Sequence, residues 1–239
     1  MNISKIGSMH VEKMYSNQDY FYAEDKFKLV CDGCSAGKDS DFGTRLFIKK
    51  FAMLPDYLDE SKFEENARKV FEELLDFFSI NTLDKMEKKD YDFVITNMLF
   101  TILACFEKED SFVVKFLGDG YIITENFLRK ISYIKIDYGP CPPYLAYNYI
   151  LPKYKESFKE ELMFKTYEFP KKLFLRVGLG TDGIEPIVFS NKLSKEDKFK
   201  FDSFLLNLSG VPVQRNINQV VNMINRNSNN FYDDTTIVF

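Results

Sequence analysis

The chain has 239 residues, of which 45% are hydrophobic and 28% charged, with a formal net charge of −4. That apolar share excludes a disordered chain, and the acidic balance argues against a generic nucleic-acid binder. Four Cys in a chain this long make no disulfide framework, and the single His excludes a His-rich zinc site.

Residues 1–7 carry no apolar signal region, and the most apolar run, residues 93–106, is shorter than the ~20 residues of a bilayer crossing. A cytoplasmic protein with neither membrane nor nucleic acid as partner is expected. Residues 17–32 read as a β-hairpin. Tyr20, Phe21 and Tyr22 favour a strand, Glu24, Asp25 and Lys26 a polar turn, and residues 27–31 alternate as a second strand. Asp19 and Asp32 lie symmetrically about that turn, so an antiparallel pair brings both carboxylates to one open end.

Phe47, Phe51 and Leu54 fall at i, i+4 and i+7 of a helix that Pro55 stops. Ser61-Lys62-Phe63-Glu64 reads as a capping box. It opens a helix with Phe63, Ala67, Val70, Phe71, Leu74 and Phe78 on one face. Residues 91–106 and 111–117 are predicted to be strands, the first buried on both faces, joined by residues 107–110. Tyr121 to Thr124 continue the β pattern after Gly118-Asp119-Gly120. Residues 138–153, with Pro140, Pro142, Pro143 and Pro152, read as an irregular surface loop, and residues 173–177 as a strand. Two helices, one from near Ser194 and one over 216–225, a polar loop over 227–230 and a final β segment over 235–239 complete the chain. Strand runs with helices grouped between them predict an α+β fold with central β-sheets, in one domain over 1–239.

Three short motifs lack their context. Gly178-Leu179-Gly180-Thr181-Asp182-Gly183 matches a dinucleotide fingerprint, but Pro186 argues against the helix that must follow. Gly33 to Ser40 resembles a P-loop one residue short, with Asp39 in place of the Ser or Thr that reaches Mg²⁺. Cys31-Asp32-Gly33-Cys34 has no second pair for zinc, since Cys105 and Cys141 stand alone.

What survives is a series of Asp residues at strand ends, most beside Gly: Asp19, Asp32, Asp119, Asp182 and Asp233. Singly, each reads as turn chemistry. Should they converge, their repulsion is best offset by a polyvalent cation, and an all-oxygen set selects Mg²⁺ or Mn²⁺ over zinc or copper.

The ordered set Asn17-Gln18-Asp19, Asp32-Gly33 with Ser35 and Gly37, Gly118-Asp119-Gly120, Thr181-Asp182-Gly183 and Asp233-Asp234-Thr235-Thr236 resembles the metal-dependent PP2C (PPM-type) protein phosphatases. It is most similar to their small, divergent bacterial branch, in which Gly-x-x-His, here Gly7 to His10, precedes Gln-Asp. The resemblance implies a PP2C-like α-β-β-α sandwich, two antiparallel sheets with helices outside. It also implies two Mg²⁺ or Mn²⁺ ions. Asp32 would bridge them, the Gly33 carbonyl, Asp182 and Asp233 would ligate them, Asp19 would hold metal-bound water, and Asp119 would help a third, weaker site. The implied reaction is hydrolysis of phosphoserine or phosphothreonine in a protein substrate by a water or hydroxide bridging the ions, with no covalent intermediate.

Three positions depart from the family pattern. Gln18 replaces a common Glu, Met14 stands where an Arg clamps phosphate, and Cys34 stands where eukaryotic members carry a proton-donating His. Lys13, Lys38 or Arg45 could supply the clamp, and His10 the proton donor or a phosphate ligand, or else a structural histidine near the site. The alternative readings are a pseudophosphatase, the same fold used as a binding or regulatory module, and a nucleotide-binding protein using residues 178–183.

Overall fold

The computed structural model describes residues 2–139, 142–150, 162–188, 198, 201–202, 205–206 and 233–239. Among the described residues, ten strands form two five-stranded antiparallel sheets. Strands β1 (Asn2–Lys5), β10 (Thr235–Val238), β9 (Phe174–Gly180), β6 (Gly120–Asn126) and β7 (Ile131–Ile136) make one sheet in that spatial order. Strands β2 (Tyr20–Glu24), β3 (Phe27–Cys31), β4 (Ile102–Glu107), β5 (Ser111–Leu117) and β8 (Lys165–Pro170) make the other.

The two sheets stack face to face. Val30, Leu103, Cys105, Val114 and Phe116 of one meet Ile122, Val177, Leu179 and Val238 of the other in a shared core. Alternate residues of the same strands point outward, as a period of two requires. On the outer face of the second sheet, Phe27, Leu29, Ala104 and Phe106 pack against helices α2 (Ser40–Ala52), α3 (Phe63–Phe77) and α4 (Lys88–Asn97). On the outer face of the first, Tyr121, Ile123 and Ile237 pack under Ile184, Phe201 and Leu205. This is the layered sandwich expected from the sequence, with three buried layers.

The β2–β3 hairpin forms in the predicted register, Tyr20 opposite Cys31 and Glu24 opposite Phe27, so Asp19 and Asp32 leave the sheet side by side. Helix α3 buries Phe63, Ala67, Val70, Phe71 and Leu74 as its spacing requires. Its predicted capping box is absent: Asp59 instead accepts from the Ser61 backbone and opens a 3₁₀ turn, Glu60–Lys62, just before the helix.

Residues 91–97 are helix, not strand. Glu87 and Asp90 form a reciprocal capping box that starts α4, and Val94 faces the core. The β-favouring Tyr91, Phe93, Ile95 and Thr96 are overridden by that cap, and β4 begins only at Ile102. The proline-rich segment is not a plain surface loop either. Leu145–Asn148 is a 3₁₀ turn, and Tyr144, Leu145, Ala146, Tyr147 and Ile150 are buried against the α2–α3 layer. Pro186 does not forbid a helical turn, because it sits in the first turn of the short segment Glu185–Val188. β1, β7, β8 and the short helix α1 (Ser8–Lys13) were not anticipated. The helix expected over 216–225, the start of the one near Ser194 and the loop over 227–230 lie outside the described residues.

Candidate metal centre

Five strand termini open toward one end of the sandwich, and each delivers an acid. Asp19 precedes β2 and Asp32 follows β3. The Asp32 backbone is pinned by Thr101, whose N–H donates to Asp32 O at 2.8 Å and whose Oγ1 accepts from Asp32 N at 3.3 Å. Asp119 sits at the β5–β6 turn between Gly118 (φ 97°) and Gly120 (φ 141°), a left-handed backbone that favours glycine on both sides. Asp182 opens a 3₁₀ turn after β9, and Asp233 precedes β10.

Asp32, Gly33, Asp119, Asp182 and Asp233 line one cavity of about 350 Å³, with Cys34, Ser35, Pro142 and Tyr144 also on its wall. Among the described residues lining it there is no lysine or arginine. Asp19 lies behind, with Oδ2 accepting from Thr181 Oγ1 at 2.8 Å. Its Oδ1 is buried and finds no donor unless it shares a proton with the adjacent Asp32.

The crowding shows in the acidities. Burial, then the charges of Asp19, Asp182, Asp233 and Asp119, push the Asp32 carboxyl well above the usual carboxylate range. Burial and the Asp234 charge raise Asp19 to about 8 against its Thr181 hydrogen bond. Burial, Asp233 and Asp119 raise Asp182 to about 7. Burial also raises Asp119.

Among the described residues no three His, Cys, Asp or Glu side chains already meet as a preformed ligand set; the carboxylates ring the cavity. The donor set nevertheless fits a hard divalent cation. It offers only oxygen, it carries uncompensated negative charge, and one of its neighbours, Asp19 Oδ1, is a buried orphan acceptor.

A pH dependence follows. Asp19 and Asp182 bind protons more tightly folded than unfolded, where carboxylates titrate near ~4. Their stabilising contribution is therefore full below the unfolded value and is lost as pH rises through about 7 to 8. In chelator, the Tm measured by calorimetry is expected to fall between pH 5 and pH 8, and saturating Mn²⁺ to flatten that fall. A chelated protein with Tm rising over this range would contradict the crowding.

The residues singled out as departures are placed clearly. Gln18 is buried; its Nε2 donates to Gly37 O at 2.6 Å, tying down the loop after Asp32. Met14 is 93% exposed. Lys13, Lys38 and Arg45 are exposed and none lines the cavity, and Arg45 turns back to Asn17 O and Asp41. Cys34 does line it, whereas Cys31 is buried in the outer core. His10 is buried and sits behind Asp233 rather than on the cavity wall. The glycines of 178–183 lie in β9 and the turn after it, not at the mouth of a long helix.

Three contributors went unrecognised in the sequence. Thr181 holds Asp19 and also accepts from Thr236 N at 2.9 Å, Thr101 pins Asp32, and Asp234 gathers Gly7, His10 and Gln18. Thr181 and Asp234 each adjoin a motif Asp, which was their only local signal.

The sequence profile described as Protein phosphatase 2C matches residues 6–132. No curated protein sequence matches the chain. Solved structures do. Serine/threonine phosphatase Stp1 from Staphylococcus aureus superposes with a TM-score of 0.62 at 15% identity, covering 99% of this chain and 92% of that one. PstP/Ppp, a serine/threonine phosphatase of Mycobacterium tuberculosis, gives 0.58 at 15%, covering 99% and 95%. PppA, a regulatory component of the T6SS in Pseudomonas aeruginosa, gives 0.60 at 12%, covering 99% and 94%.

Proposed function

The chain belongs to the protein phosphatase 2C family, and we propose that residues 1–239 form one phosphatase domain that hydrolyses phosphoserine or phosphothreonine in proteins with two Mg²⁺ or Mn²⁺ ions. The observation that carries this is the ring of Asp32, Asp119, Asp182 and Asp233 around a cavity with no described cation on its wall. Asp32, the Gly33 carbonyl, Asp182 and Asp233 would hold the pair, with Asp119 assisting a third, weaker site. When bound, such ions lower the pKa of a water and screen the charge that builds on a phosphoryl group.

The chain's own groups prepare that chemistry. Asp32 lies within reach of the charges of Asp19, Asp182, Asp233 and Asp119, so it is the natural centre of the cage. Thr181 fixes Asp19 Oδ2 and leaves Oδ1 to accept a hydrogen bond from an ordered water. Tyr144, part of the proline-rich segment and buried against the α2–α3 layer, walls the cavity beside Cys34. No activated nucleophile is required.

The test is hydrolysis of p-nitrophenyl phosphate with added Mn²⁺. Asp182→Asn, which keeps the shape but removes a charge, is expected to lose at least ~10²-fold in kcat, the scale of removing one preorganised electrostatic contact. Equal rates in the two proteins would exclude this site.

Gln18 and the exposed Met14 favour a second reading, a pseudophosphatase used as a binding module, since neither supplies charge to a substrate phosphate. Two-site Mn²⁺ binding without turnover of any phosphopeptide would select it.

A further inference from the structure

A second cavity, of about 370 Å³, opens at the end of the sandwich far from the acids, and it shares no lining residue with theirs. Both sheets build it. Ala23, Lys28 and Phe112 come from one, Leu175 and Val177 from the other. Lys28 stands four residues before Asp32, about 13 Å along the strand.

Strand alternation decides which side chains of the wall point inward. On β3, Phe27 and Leu29 belong to the outer core under the helices and Val30 to the core between the sheets, so Lys28 points between the sheets. Its register partners agree: Ala23 and Cys105 flank it, and both belong to that inner layer. Lys28 is half-buried there, and its ammonium has no hydrogen-bond or ion-pair partner among the described residues.

The other charges on the wall do not answer it. Glu24 points to the opposite face, where its carboxylate accepts from the Tyr22 and Tyr57 hydroxyls. Glu107 is taken by Lys171, whose Nζ lies 2.7 Å from Oε1. Arg176 is paired with the buried Glu125 and stacks on Phe239 at 4.3 Å. Asp25 sits exposed in the hairpin turn at the rim. What points inward among the described residues is therefore one unpaired ammonium beside an apolar wall.

We propose that this cavity binds a small amphipathic monocarboxylate, its carboxylate on Lys28 and its alkyl or aryl body against Phe112, Leu175 and Val177. A lone Lys is a point charge with three donors and suits one carboxylate, whereas a phosphate dianion calls for an Arg fork or several cations. An apolar lining with a single charged anchor, in a volume of this size, is the usual make-up of a small-molecule pocket. Because both sheets line the cavity, a ligand in it ties them together and stabilises the fold by linkage. The proposal does not depend on the phosphatase reading.

Calorimetric titration of the full chain with octanoate tests it, in chelator so that no metal can hold the carboxylate. A saturable one-to-one isotherm with a Kd in the low millimolar range or tighter is expected, the range open to a ligand of this size. Octylamine, with the same body and the opposite charge, should bind at least ~10-fold more weakly. Lys28→Gln should weaken octanoate binding by at least ~10-fold, the scale of losing one charged hydrogen bond, and Lys28→Arg should retain most of it. Leu175→Asp, on the other sheet, should abolish it by repulsion and loss of the wall. Lys49→Gln, which removes an exposed lysine from α2, should bind as wild type.

Heats that stay linear through the millimolar range, octylamine bound as tightly as octanoate, or wild-type affinity in Lys28→Gln would each overturn the proposal. The octylamine comparison needs only the wild-type chain, so it decides even should Lys28→Gln fail to fold.

Discussion

Asp32→Asn is expected to give a protein that is more stable than wild type in chelator and inactive with Mn²⁺. Asp32 faces the charges of Asp19, Asp182, Asp233 and Asp119 in a buried setting, and its carboxyl is held well above the usual range. At neutral pH the metal-free fold must either take up a proton there or tolerate the repulsion. Asn has nearly the same shape and needs neither. The relief should read as a rise in Tm. On the phosphatase reading the same change removes the acid that would hold the cations, so a loss of ~10³-fold or more in kcat is expected. Saturating Mn²⁺ should reverse the order, stabilising wild type above the variant by linkage. Thermal scans with and without Mn²⁺ measure this; a chelated variant less stable than wild type would refute the charge argument.

Gly183→Ala should be the most damaging single methyl group near the site. A Cβ there would meet Asp234 O at 1.9 Å and Thr235 Oγ1 at 2.6 Å. Both belong to the segment that carries Asp233, so the added carbon must displace backbone rather than a flexible side chain. A cost of about 3 kcal/mol or more is expected, roughly 6–12 °C in Tm, with Mn²⁺ affinity falling alongside because Asp233 moves. Gly139→Ala is the contrast. Its φ of 76° disfavours a side chain, yet nothing lies within 4 Å of the added carbon. It should cost only the ~1 kcal/mol of a left-handed backbone. Equal losses in the two variants would show that crowding at 183 is not the cause.

These two glycines also mark what the sequence could and could not convey. Asp-Gly pairs read as turns, and at Gly118 and Gly120 that reading holds, with positive φ at both. Gly33 and Gly183 have no such φ. They are glycine because another backbone passes close by, Gln18 O at 2.8 Å in one case and Asp234 O in the other. Local spacing found the pairs but not their reason. The hairpin was legible because its two strands share a short polar turn that sets the register. Helix α4 was not, because its aromatic and β-branched residues favour a strand and only the Glu87–Asp90 cap tips the balance. The link between His10 and Asp234 spans 224 residues, beyond any local pattern. Burial of Tyr144 to Ile150 was hidden by the prolines around them.

The spatial order β1, β10, β9 has a consequence for biosynthesis. The partner of β1 is synthesised long after it, since Ile3 pairs with Ile237. Until then β9 keeps a bare edge, and the acid cage lacks Asp233. A nascent polypeptide short of residue 233 would thus lack one acid of the ring around the cavity, however much of the two sheets had already formed.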